Sequence, residues 1–186
     1  LSIPNIIELS AMGLYGQDVK KIYEAINRFF FDSKNHKVYQ SIKEMLTYSL
    51  DNMPTKLITG SWEIIGKKVG YEIVSLTKYV DGKRILKRFE EVAGTILKTT
   101  AKNKFSGETE LNMADPKNRE NEMTKFVNEY SAKGLIVVSD TKEPIDEPSK
   151  RVAVKEIIIN QKKGSSSKEP SEHNSGILKS YFIIIL

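Results

Sequence analysis

No cysteine occurs in the 186 residues, and histidine occurs only twice, at His36 and His173. The first absence excludes disulfides, thiolate zinc clusters and thiol catalysis, and the second excludes a histidine-rich metal centre. No uninterrupted apolar run reaches the ~20 residues that a membrane-spanning helix needs, so the chain as given holds no transmembrane span. Charge is not lopsided either: 29 basic residues stand against 24 acidic ones, a net +5. Such a balance does not hold a chain unfolded. What is present is ordinary globular material, 39% hydrophobic and 28% charged, enough for a buried core in one domain or little more.

The two ends stand apart from the rest. The chain opens on Leu1 rather than methionine, and Pro4, Asn5 and Glu8 interrupt the apolar residues before a signal-peptide core can form. We read Leu1 as a truncation point. Residues 161–176 (QKKGSSSKEPSEHNSG) bury too little apolar surface to offset their ordering entropy and read as a flexible linker, with His173 solvated inside it. Residues 177–186 (ILKSYFIIIL) form an apolar tail that fits a docked strand, the start of a longer span or an appended sequence.

Between them, residues 1–160 read as an α/β or α+β domain. Val19, Ile22, Tyr23, Ile26, Phe29 and Phe30 recur at helical spacing over 18–31, with Asp18 as N-cap. The run Phe29-Phe30-Phe31 reads as a core plug at the helix end. A second helix spans 37–50 on Val38, Ile42, Met45 and Leu46, and stops before Pro54; His36 sits at its start as a surface residue. Residues 55–69 keep helical spacing through Leu57, Ile58, Trp62, Ile65 and Val69. Gly60 and Gly66 then need a reason, which close helix–sheet packing would supply. Residues 71–80 and 83–92, rich in β-branched and aromatic side chains, flank Asp81-Gly82 and predict a β-hairpin. Residues 95–100 add a short strand and 101–117 read as a loop. A helix follows from about 118 on Met123, Phe126, Val127 and Tyr130, with Gly134 at its left-handed C′ position. Residues 135–139 and 151–160 read as strands around an acidic loop marked by Pro144 and Pro148.

Chemistry-bearing motifs are few. G-x-G-x-x-G and G-x-S-x-G are absent. The nearest approach to a phosphate-binding loop, residues 60–68, has five intervening residues where four are needed and Lys68 in place of Ser or Thr. Glu90 and Glu91, adjacent on a strand, point to opposite faces and make no dyad. Lys78, Lys83, Arg84, Lys87 and Arg88 cluster on the expected hairpin, where they could contact phosphates or an acidic protein, or guard exposed strands from edge pairing.

Residues 81–94 (DGKRILKRFEEVAG) resemble the D-G-x-R-x-Φ-x-x-Φ-x-E-V-x-G segment of type II/IV secretion ATPases, in the branch serving tight-adherence pili and conjugation. The matching positions are Asp81, Gly82, Arg84, Glu91, Val92 and Gly94; Ile73, Val74 and Lys78 fit the strand that precedes the segment in that family. The order agrees over 37–94. The resemblance implies the C-terminal part of a RecA-like motor domain, a homo-oligomer working with inner-membrane secretion components, cytoplasmic and peripheral at that membrane. A full-length motor of this kind uses ATP and magnesium. The stretch shown carries no Walker loops, and 29–33 (FFFDS) stands where the family has T-x-H-[AS]-N, so no catalytic residue carries over. The implied role for 37–94 is structural and subunit contact. The other reading of the same residues is a non-enzymatic α/β module whose 71–92 segment contacts nucleic acid or an acidic protein.

Overall fold

The computed structural model describes residues 2–32, 40–77, 89, 91–159 and 180–185. Helix α1 (Ile3–Met12) starts where the Ser2 hydroxyl accepts the Asn5 N–H at 3.4 Å, with Pro4 in the first turn, where its missing N–H costs nothing. Helix α2 (Val19–Asp32) is capped as expected, Asp18 Oδ1 accepting the Lys21 N–H at 3.2 Å. It rests against α4 and buries no described side chain completely. Phe29 is accordingly 64% exposed and is no core plug; the side chains of Phe30 and Phe31 lie outside the described residues. Helix α3 (Gln40–Asn52) buries Leu46 and Leu50.

The stretch read as one helix over 55–69 is a strand followed by a helix, β1 (Thr55–Trp62) and α4 (Glu63–Thr77). Gly66 has the packing role expected of it: a Cβ there would lie 2.7 Å from Thr59 Cγ2 and 3.2 Å from Val92 Cγ1, so α4 lies close on β1 and β2. Gly60 belongs to the strand and faces Ala114, 3.3 Å from where its own Cβ would stand. Because α4 continues through residues 71–77, the incoming arm of the expected hairpin is helical. Strand β2 (Glu91–Thr99) pairs in parallel with β1, and parallel neighbours need a crossover that carries the chain back along the sheet. That demand overrides the β-propensity of 71–77. The remaining hairpin positions, Asp81, Gly82, Arg84, Lys78, Lys83, Lys87 and Arg88, lie outside the described residues.

A hairpin does form one element later. Residues 105–111, read as loop, are strand β3 (Phe105–Leu111), antiparallel to β2. Its polar alternation is that of an edge strand with one wet face. Helix α5 (Pro116–Glu129) starts from Asp115, whose Oδ1 accepts the Lys117 N–H at 2.9 Å, and buries Met123, Phe126 and Val127. It ends on Ser131 at φ 48°, with the Ala132 N–H donating to the Val127 carbonyl at 3.0 Å. Ser131 thus takes the left-handed position assigned to Gly134, and Gly134 opens strand β4 (Gly134–Ser139). A single turn, α6 (Asp146–Ser149), lies in the acidic loop, and β5 (Ala153–Ile158) and β6 (Ser180–Ile185) complete the fold.

The six strands form one mixed sheet in the order β3-β2-β1-β6-β4-β5. The apolar tail therefore supplies an inner strand: β6 runs antiparallel to both β1 and β4, with Ile183 opposite Lys56 on one side and Val137 on the other. Side chains alternate across the sheet. Leu57 and Val92 pack with Leu46, Leu50 and Phe89 on the α3–α4 face, while Ile58, Ala93, Leu135 and Val137 pack with Met123, Phe126 and Val127 on the α5 face. Each fully buried side chain of this size is worth about 1.5–3 kcal/mol, so these two layers hold the sheet between the helices. The result is an α/β fold. Among the described residues no helix is long and apolar enough to cross a membrane.

Candidate functional site

Three of the six matching positions in the 81–94 segment can be placed: Glu91, Val92 and Gly94. Each has a structural task. Val92 packs against the α3–α4 cluster. At Gly94 a Cβ would fall 2.6 Å from Glu63 Cα and 3.1 Å from the Ser61 carbonyl, so the chain turning from β1 into α4 passes directly over β2 there. Only glycine fits such an approach of backbone to backbone.

Glu91 belongs to an ionic group that sequence reasoning missed. Its centre is Lys56, the second residue of β1, whose side chain is wholly buried. The ammonium donates to Glu91 Oε2 at 2.5 Å and to Glu122 Oε1 on α5, and lies 5.3 Å from the centroid of the Phe126 ring. The hydrogen bond from Lys56 holds the Glu91 carboxyl below its ordinary 4.5, against the opposing pull of burial. The signal in the sequence is slight: a single charged residue in an otherwise uncharged strand.

A second buried pair fixes the first turn of α5. Arg119 donates through Nε to Glu143 Oε2 at 2.8 Å and through a terminal nitrogen to the carbonyls of Met113 and Ala114 at 3.1 and 2.8 Å. The Glu143 backbone N–H in turn donates to Glu156 Oε1 at 2.7 Å. First turn of α5, post-β4 loop and β5 are thereby clamped together. In both groups the buried charges face opposite charges, as a low-dielectric interior requires.

Doubly wound sheets take ligands at the carboxyl ends of their parallel strands. At that end of β1 and β2 lies a crevice of about 90 Å³, walled by Tyr23, Trp62, Glu63, Thr95 and Phe105. Ordinary small-molecule sites run to roughly 300–1,000 Å³, so a nucleotide has no room here. The Thr95 hydroxyl is committed, donating to the Gly60 carbonyl and accepting the Met113 N–H, both at 3.0 Å. Glu63 is likewise held by Lys67 at 2.7 Å. Among the described residues, the Trp62 indole N–H is buried without a hydrogen-bond partner. No group of three or more His, Cys, Asp or Glu among them could hold a metal ion.

Fold and site together define an α/β protein whose described ionisable interior serves architecture. Comparison with protein-family models, with curated proteins and with solved structures finds no match.

Proposed function

We propose that the chain is a non-enzymatic α/β binding module that contacts nucleic acid through the basic connection between β1 and β2. One observation carries the reading. Residues 63–90, the whole of that connection, hold Lys67, Lys68, Lys78, Lys83, Arg84, Lys87 and Arg88 against Glu63, Glu72, Asp81 and Glu90, an excess of three out of the chain's net five. The rest of the molecule adds only two, so more than half of the net positive charge lies in one connection. Lys67, on the part of that connection formed by α4, is 59% exposed at its side chain. Clustered lysine and arginine gain affinity by releasing condensed counterions from phosphates, without need of a cavity. Such a module works in a compartment that holds nucleic acid, which for this reading is the cytoplasm.

The test is a salt series. Binding to duplex or single-stranded DNA should weaken steeply with salt. Exchanging Lys83, Arg84, Lys87 and Arg88 together for glutamine should flatten the log–log slope by up to about 0.9 for each phosphate that is no longer neutralised. A quadruple variant that binds DNA as the parent does would end the proposal, and salt-sensitive capture of acidic peptides without DNA binding would reassign the partner. The resemblance to traffic ATPases makes a separate demand, nucleotide binding and ring assembly in a chain carrying upstream motor elements. Saturable ATP binding by the present chain would overturn the non-enzymatic reading.

A further inference from the structure

We infer that the outer face of α1 is the contact surface between two copies of this chain, paired about a two-fold axis. Helix α1 is apolar on both sides, a pattern that belongs to a helix covered on both sides. One side is covered already. Ala11 is 1% exposed, and Glu8 is turned onto β3 and the residue that follows it, where its Oε1 accepts the Thr109 hydroxyl at 2.6 Å and the Asn112 amide at 2.8 Å. The other side presents Ile3, Ile6 and Leu9, each 51% exposed, and Met12 at 62%, with Tyr15 just beyond the helix at 75%. These five side chains leave roughly 500 Å² of apolar surface in water, within the size range in which patches on soluble proteins tend to be functional.

The chemistry of the face selects its occupant. Residues 2–19 contain no lysine or arginine, and their acids are Glu8, which is bound to β3, and Asp18, which caps α2. A helix that lies on anionic lipid carries a basic rim, and this one has none. An uncharged face can meet its own copy without setting like charges against each other, as an isologous contact requires. Two such faces would cover at most about 1,000 Å², at the threshold for a specific interface and in the range of weak, transient ones. The helix is also fastened in advance by Glu8 and by the Asn112 amide, which donates to the Pro4 carbonyl at 3.2 Å, so little order is lost on pairing.

Sedimentation velocity of the full chain from about 1 to 200 µM tests the pairing. The parent should pass from monomer to dimer in the micromolar range expected of so small an interface. Ile6→Glu/Leu9→Glu should stay monomeric at every concentration, whereas Tyr71→Glu, altering an exposed residue on α4, should dimerise as the parent does. Both residues exchanged on α1 are half-exposed, so the circular dichroism spectrum should be unchanged. If the double variant nevertheless unfolds, Ile6→Gln/Leu9→Gln serves in its place, with at least a tenfold weaker dimer expected. A parent that is monomeric at 200 µM, a folded variant that still dimerises, or a monomeric parent that floats with phosphatidylcholine–phosphatidylserine vesicles would each overturn the inference.

Discussion

Taking the Lys56 ammonium out of water costs several kcal/mol, and Glu91, Glu122 and the Phe126 ring together offset that cost. Removing the cation alone would leave Glu122, 16% exposed at its side chain, with only the solvent-exposed Lys125 ammonium at 3.6 Å to offset its charge at the edge of the core. Lys56→Ala should therefore lower stability in urea by about 3–5 kcal/mol. Lys56→Met/Glu122→Gln, which removes charge from both partners and keeps a flexible side chain against Phe126, should recover most of that loss. If the single and double variants unfold at the same denaturant concentration, the two side chains are not coupled as described. Glu91 adds a dependence on pH whose sign follows from its lowered pKa. Its contribution is complete above about 4.5, the unfolded value, and is lost as pH falls through the folded value. Because its side chain is 48% exposed, screening keeps the effect small. Glu91→Gln should lower Tm by no more than about 2–4 °C at pH 7 and should narrow the gap in Tm between pH 7 and pH 3.

Among the elements, β6 carries the largest topological burden. Five of its residues pair with β1 and four with β4, so it joins the two halves of the sheet. A chain ending at Asn160 would leave the β1 and β4 edges bare, and should lose its cooperative thermal transition. A synthetic peptide of residues 177–186 added in trans should restore it, as a strand completing a sheet does. The gentler Ile183→Pro deletes one ladder donor and should cost about 1–3 kcal/mol for that bond alone. Unchanged melting of the truncated chain would remove β6 from the sheet. Elements with a clear period and a local stop are legible from sequence: α2 by Asp18, α5 by its Met123-Phe126-Val127 stripe, β4 by its apolar run. The tail 177–186 is plainly apolar, but its destination depends on strands far back along the chain and on no local feature. The Asp81-Gly82 hairpin expectation fails over 71–77 for the same kind of reason, since local turn chemistry carries no information about a parallel partner. Lys56 stays hidden because its carboxylates lie 35 and 66 positions away. Glu91 stands out through the 81–94 resemblance and as half of an acidic pair, neither of which points to Lys56, and Gly94 reads as a motif glycine without the α4 junction that makes it necessary.

For the whole molecule, the α1 contact and the basic connection have a joint consequence that neither has alone. A dimer carries two copies of the basic connection, so binding one to a duplex raises the effective concentration of the other and strengthens attachment without new contacts. A compact chain of this length has a radius of gyration of about 16 Å, which puts the two connections of a dimer within roughly 80 Å of each other. A 40-bp duplex spans that distance and a 10-bp duplex does not. Parent and Ile6→Gln/Leu9→Gln, a variant that adds no charge to repel phosphate, should bind the short duplex equally. On the long duplex the variant should bind at least tenfold more weakly, and its salt slope should fall to about half that of the parent, as one set of phosphate contacts replaces two. Equal losses on both lengths would mean that Ile6 and Leu9 touch the nucleic acid themselves. No loss on either would mean that the two surfaces act independently.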